Sequence, residues 1–165
     1  MAIDTDTPSF EPNVRYELAN RLFFRLYQCA NILHKTGSRA LEDEGLTTQR
    51  WAVLGALSRS GVSNGMAIGD LARYLKVSRQ SLAGVIGRLE SDGLIETIAD
   101  TNDRRSRLVR MTAEGKERWE TRALPRIGAF YDEAVHGLST EDLSHALHYL
   151  VRLLDNMSAI DDRTG

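Results

Sequence analysis

The stretch Ser78–Leu94, SRQSLAGVIGRLESDGL, decides how the chain is read. Leu82, Val85, Ile86 and Leu89 recur at the spacing of one buried helical face. Ser78 is placed to cap that helix. Gly93 is placed to stop it in a left-handed turn, with Leu94 folded back over the last turn. Yet Gly84 and Gly87 sit in its interior, where each costs about 1 kcal/mol relative to alanine. They share the outward side with Arg79, Gln80, Ala83 and Arg88. Bare backbone flanked by Arg and Gln suits close approach to a groove. The competing reading is relief of crowding against a neighbouring helix.

Working outward, IGDLARYLKV reads as a short helix with Ile68, Leu71, Ala72 and Leu75 on one side, a few residues before Ser78. On the other flank, LIETIA and RLVRMT are strand-like runs separated by DTNDRRS, a β-hairpin with an exposed basic tip. Upstream, SRSGVSNG is a loop whose glycines lack the setting of a dinucleotide fingerprint. Before it, Thr47 caps a helix carrying Trp51, Val53, Leu54 and Leu57. Asn13 caps a long helix expected to run to about His34, with Leu18, Leu22, Leu26, Cys29 and Leu33 as its apolar stripe. Thr112 caps another long helix, and Pro125 within it predicts a kink or break. Finally STED is a capping box, Ser139 with Asp142. Leu143, Leu147, Leu150, Leu154 and Met157 follow, alternating four and three apart, the seam of a helix packing in coiled-coil fashion.

Composition narrows the class. The 165 residues are 42% hydrophobic and 27% charged, ordinary for a globular protein. No apolar run approaches the roughly 20 residues that span a bilayer, so no membrane association is expected. MAIDTDTPSFEPN is acidic, lacks the order of a secretory leader and reads as a flexible lead over residues 1–12. A single cysteine excludes an internal disulfide and fits a reducing cytoplasm. The net charge is −2, but Arg73–Arg110 holds eight basic against five acidic residues, +3, leaving −5 elsewhere. A locally positive module in an acidic protein binds phosphate without adhering indiscriminately.

Helix, short turn, helix and basic-tipped hairpin together make a winged helix-turn-helix, whose second helix enters the major groove of double-stranded DNA. The fold class expected is mainly α (α+β). Arg79 can pair bidentately with guanine and Gln80 with adenine, while Ser78 and Ser81 suit phosphates. Gly84 and Arg88 complete that face.

GLTTQRWAVLGAL, GDLARYLKVSRQSLAGVIGRLESDGLIE and DRRSRLVRMTAEGKE resemble successive signature segments of the MarR family, multiple-antibiotic-resistance-type regulators, over about residues 14–157. The resemblance implies a homodimeric transcription factor, usually a repressor, reading a pseudo-palindromic operator. Residues 13–45 and 113–160 would form the dimerisation helices and 46–112 the DNA-binding domain. Its wing pattern falls on Asp103, Arg104, Arg105 and Arg107, with Asp103 holding an arginine, Arg105, at the minor groove. Ala67 stands where similar sequences carry a capping Ser or Thr.

The resemblance also implies a small-molecule effector, typically an aromatic acid, a phenolic or a coenzyme A thioester. Phe23, Tyr27, Ala30 and His34 line up on the first helix as one wall of a pocket, with Trp51 as another. Ordinary interhelical packing explains the same strip equally well. No nucleophile elbow, phosphate loop or HExxH run is present, so no enzyme, catalytic residue, cofactor or metal is expected. A redox response through Cys29, or a metal response through His145 and His148 with His136 or a partner-chain group, are the rival regulators. Cys29 on the apolar stripe is read as core, and the histidines as surface. A protein-binding winged helix is the remaining alternative, disfavoured because its face should carry apolar anchors.

Overall fold

The computed structural model describes residues 12–62, 64–101 and 106–164. Helix α1 (Val14–Ala40) begins where Asn13 accepts a hydrogen bond from the Tyr16 N–H at 3.0 Å. It runs past His34, further than expected, because its last turns are clamped by α2. A methyl at the buried Gly37 would stand 2.7 Å from Thr48 Cγ2 and 2.9 Å from Trp51 Cη2. Close helix approach there outweighs the poor helix propensity of glycine. A 3₁₀ turn (Glu42–Glu44) and Gly45, at φ 65°, lead into α2 (Thr48–Leu57), capped by Thr47.

A short strand, β1 (Met66–Ala67), then precedes α3 (Ile68–Leu75), α4 (Arg79–Ser91), β2 (Ile95–Ala99) and β3 (Arg107–Met111). The sheet is antiparallel in the order β1-β3-β2. Strand β1 was not anticipated from the sequence, where Gly65 reads as loop. Gly65 at φ 101° brings the chain edge-on to β3, 3.0 Å from the Val109 carbonyl for any added Cβ, and only glycine fits both demands. The hairpin register pairs Glu96 with Arg110, whose side chains form an ion pair at 2.8 Å.

Thr112 accepts from the Gly115 N–H and starts α5 (Ala113–Arg118), followed by a π-helical turn (Trp119–Ala123) and α6 (Leu124–Ala134). The disturbance expected from Pro125 takes that form. Proline cannot donate to the preceding turn, and the wider π turn absorbs the misfit without ending the helix. A charge clasp on the buried Glu44 fixes this helix to the 3₁₀ turn after α1. Glu44 lies between Arg118 and Arg126, and Arg118 Nη2 also donates to the Glu44 carbonyl at 2.7 Å. Such burial is tolerable only because the carboxylate is paired.

Helix α7 (Thr140–Thr164) starts at the expected box. Ser139 N–H donates to Asp142 Oδ2 at 2.8 Å, and the Asp142 N–H donates to Ser139 Oγ at 3.1 Å. The core lies between α2, α3, α4 and the sheet, with Leu54, Leu71, Leu82, Leu89, Leu94 and Val109 fully buried. The stripes of α1 and α7 do not share in it. Leu18, Leu22 and Leu33 on α1, and Leu147, Leu150 and Leu154 on α7, are all exposed in the single chain. Cys29 is exposed with them, which corrects its reading as core: the stripe is apolar, but nothing among the described residues covers Cys29. No helix among the described residues is long and apolar enough to cross a membrane.

Candidate nucleic-acid interface

Helix α3 ends with Lys76 at φ 56°, and the turn Lys76–Ser78 delivers the chain into α4. Ser78 caps α4. Its Oγ accepts from the Ser81 N–H at 3.1 Å and donates to Ser81 Oγ at 2.9 Å. The Ser78 hydroxyl is thus occupied by the helix start, a duty the sequence reading divided with phosphate contact. Leu82, Ile86 and Leu89 are buried and Val85 half-buried, so the opposite side faces outward. Arg79, Gln80, Ala83, Gly84, Gly87 and Arg88 are all exposed there. A methyl at Gly84 or Gly87 would meet no atom within 4 Å. Among the described residues, then, no neighbouring helix accounts for either glycine.

Beyond α4, Arg107 opens β3 opposite Ala99 and is exposed. Asp103, Arg104 and Arg105 lie outside the described residues. At the end of the two strands the Asp100 N–H donates to the Ser106 carbonyl at 3.1 Å.

Behind α4 lies an apolar cavity of about 490 Å³. Ala30, Leu33 and His34 of α1 form one wall, and Thr48, Gln49, Ala52 and Val53 of α2 another. Leu75, Val77, Ser81, Leu82 and Val85 close it from the helix-turn-helix. His34 Nδ1 shares a hydrogen bond with Thr48 Oγ1 at its rim, and Thr48 N–H donates to Ser38 Oγ at 3.2 Å. Of the side chains expected to wall a pocket, His34 does so, along with Ala30. Phe23 and Tyr27 lie on the exposed, more N-terminal turns of α1. Trp51 is in the core, its ring edge-on to Tyr131 at 6.2 Å and tilted against Phe130 at 5.9 Å. Helix α2 presents Trp51 to α6, so the indole closes the core rather than the cavity. Residues missed include Thr48, Gln49, Ala52, Leu75, Val77 and Val85, whose convergence carries no local signal.

A smaller cleft of about 270 Å³ adjoins the cavity, bordered by Thr47, Arg50, Gly84 and Arg88. Arg50 is held there by Asp92 at 3.1 Å. His136, His145 and His148 are exposed, and no group of three potential metal ligands occurs among the described residues.

A capped helix with an exposed Arg–Gln–Gly face, a tight turn behind it and an antiparallel hairpin beside it define a winged helix-turn-helix transcriptional regulator, a DNA-binding protein rather than an enzyme. Residues 44–106 match the model of the MarR family. The chain is 62% identical over 150 residues to "Transcriptional activatory protein BadR" of Rhodopseudomonas palustris, covering 91% of this chain and 86% of that one. It is 30% identical over 115 residues to the "Homoprotocatechuate degradative operon repressor" of Escherichia coli, covering 70% and 72%. Among solved structures, AbsC, a MarR family transcriptional regulator from Streptomyces coelicolor, superposes with a TM-score of 0.76 at 22% identity over 92% of this chain and 99% of that one. The chain belongs to the MarR family.

Proposed function

We propose that the chain acts as a homodimer whose two α4 helices read successive major grooves of a pseudo-palindromic operator, and that a small aromatic acid or its coenzyme A thioester releases it. The observation that carries the effector reading is the cavity. It is bounded on one side by α1 and α2 and on the other by Leu75, Val77, Ser81 and Val85 of the helix-turn-helix. A ligand filling it bears directly on the first turns of α4, and its differential fit to the bound and free poses supplies the coupling. The lining is apolar with a few polar groups, His34, Thr48, Gln49 and Ser81, which suits a flat organic acid.

The relative named as a repressor of an aromatic-degradation operon supports the same ligand class. Dimerisation is supported by the exposed apolar stripes of α1 and α7, far more greasy surface than a monomer tolerates. On this reading residues 13–45 and 113–160 pair the two chains, Arg79 and Gln80 meet base edges, Ser81, Arg88 and Arg107 hold the backbone, and the wing arginines Arg104 and Arg105 meet the minor groove. Repression follows where the operator overlaps the promoter. The relative named as activatory favours a second operator position, from which the same binding and release work with opposite sign.

The test begins with DNA fragments selected by the purified chain, titrated with aromatic acids and their coenzyme A thioesters. Filling the cavity with Ala52→Phe should itself weaken operator binding, as the ligand does, and abolish any further release by ligand. Release of that variant at wild-type ligand concentrations refutes the cavity as the effector site. A stable folded monomer in sedimentation refutes the dimer.

A further inference from the structure

Gly69 stands second in α3, a helix already started without a side-chain cap because Ala67 holds the capping position. A glycine there weakens a helix of eight residues further. Its neighbours show what the missing side chain admits. A Cβ on Gly69 would lie 3.0 Å from Arg79 Nη2, 3.5 Å from Cζ and 3.7 Å from Nε, and these are its three nearest atoms. The guanidinium of Arg79 is therefore laid across the bare backbone of the first turn of α3. It is seated but not paired. No acceptor among the described residues takes its protons, and the one carboxylate of α3, Asp70, is bonded to Arg73.

A long side chain with about 2 kcal/mol of rotamer entropy to lose thus rests over α3 with its five N–H donors unpaired among the described residues. Binding then needs less ordering of the arginine at the moment of contact. We propose that Gly69 is a positioning residue for DNA recognition, its bare backbone seating Arg79 so that the guanidinium meets a base edge pre-ordered. The proposal rests on the reading that Arg79 contacts a base, and the experiment separates the two.

The experiment is a double-mutant cycle on the full chain with Gly69→Ala, Arg79→Ala and the combination, read by operator titration and by base preference at each operator position. Arg79→Ala should weaken binding about 5- to 150-fold and relax preference at one position per half-site. Gly69→Ala should weaken it about 2- to 10-fold and relax the same position. In the Arg79→Ala background Gly69→Ala should change neither. Melting of Gly69→Ala should stay at or above wild type, because only the tip of a flexible side chain must move. Independent effects in the combination, or a Gly69→Ala chain with wild-type affinity and preference, overturn the seat while leaving the Arg79 contact standing. An unaffected Arg79→Ala chain overturns both. In the free wild-type protein, NMR relaxation should show the Arg79 Nε–H more ordered than that of Arg88. Equal mobility overturns the seat without recourse to any variant.

Discussion

Replacing Gly84 by alanine separates the two properties of α4 that the exposed face combines. The site is interior to a 13-residue helix, and outside that helix's own backbone the new methyl meets none of the described residues within 4 Å. The gain in helix propensity and the loss of unfolded-state freedom should therefore appear undiminished, about 0.5–1 kcal/mol per chain. For a protein of this size that is a rise in melting temperature of roughly 2–4 °C per kcal/mol. On DNA the same methyl stands about 1.5 Å proud of the backbone, between Gln80 and Arg88. Lifting the helix by about 1 Å takes hydrogen bonds of about 2.9 Å beyond working range. Loss of one bidentate base contact costs about 1–3 kcal/mol, which is roughly 5- to 150-fold in Kd. Thermal unfolding at fixed protein concentration and operator titration of the one variant supply both numbers. Greater stability with weaker binding is the expected result. A variant that is more stable and binds normally shows that α4 does not sink against the groove floor. A less stable one that binds normally shows that a protein neighbour covers Gly84, and the reasoning fails.

Two further outcomes concern the scaffold. Gly115→Ala should be strongly destabilising, by about 3 kcal/mol or more in urea melts, since its Cβ would stand 1.9 Å from the Leu94 carbonyl oxygen and 2.8 Å from its carbon. Backbone cannot yield as a side-chain tip can, and a midpoint equal to wild type would show that the α5–β2 packing is misread. The Asp142 carboxyl is held below its ordinary value of 3.8, first by the backbone N–H of Ser139 and then by its hydroxyl. A depressed folded value stabilises fully above the ordinary one and loses that contribution as pH falls through the lowered one. The start of α7 should accordingly persist down to the ordinary carboxylate range and fray only in stronger acid, followed by NMR titration of the Asp142 side chain. A midpoint at or above 3.8 would mean that the box is open in solution.

Local chemistry explains why much of this fold was legible from the chain alone. Asn13, Thr47, Ser78, Thr112 and Ser139 each mark a helix start, because a side-chain oxygen satisfies orphan N–H groups wherever the chain happens to sit. Leu82, Ile86 and Leu89 announced the buried side of α4, and therefore its outward side, since helical period leaves no other choice. Pro125 announced a disturbance but not its form. Whether the helix breaks or widens into a π turn depends on how Trp119, Ala123 and Ile127 are held in the core.

What depends on distant partners was decided only by the tertiary structure. Strand β1 exists because β3 is there to pair with it, and two residues carry too little pattern to declare a strand. The apolar stripe holding Cys29 looks like core by periodicity, which reports a side chain's polarity and not whether a surface arrives to cover it. The sequence places Trp51 and His34 on one pocket, but the packing of α2 on Gly37 and α6 puts the indole beside Tyr131 and leaves His34 at the cavity with Thr48. By itself the sequence determined the helices, their caps and the face that α4 turns outward, because those follow from interactions within a few residues. The cavity and the seat of Arg79 on Gly69 came from the fold alone, because each is a distance between helices that no local pattern records.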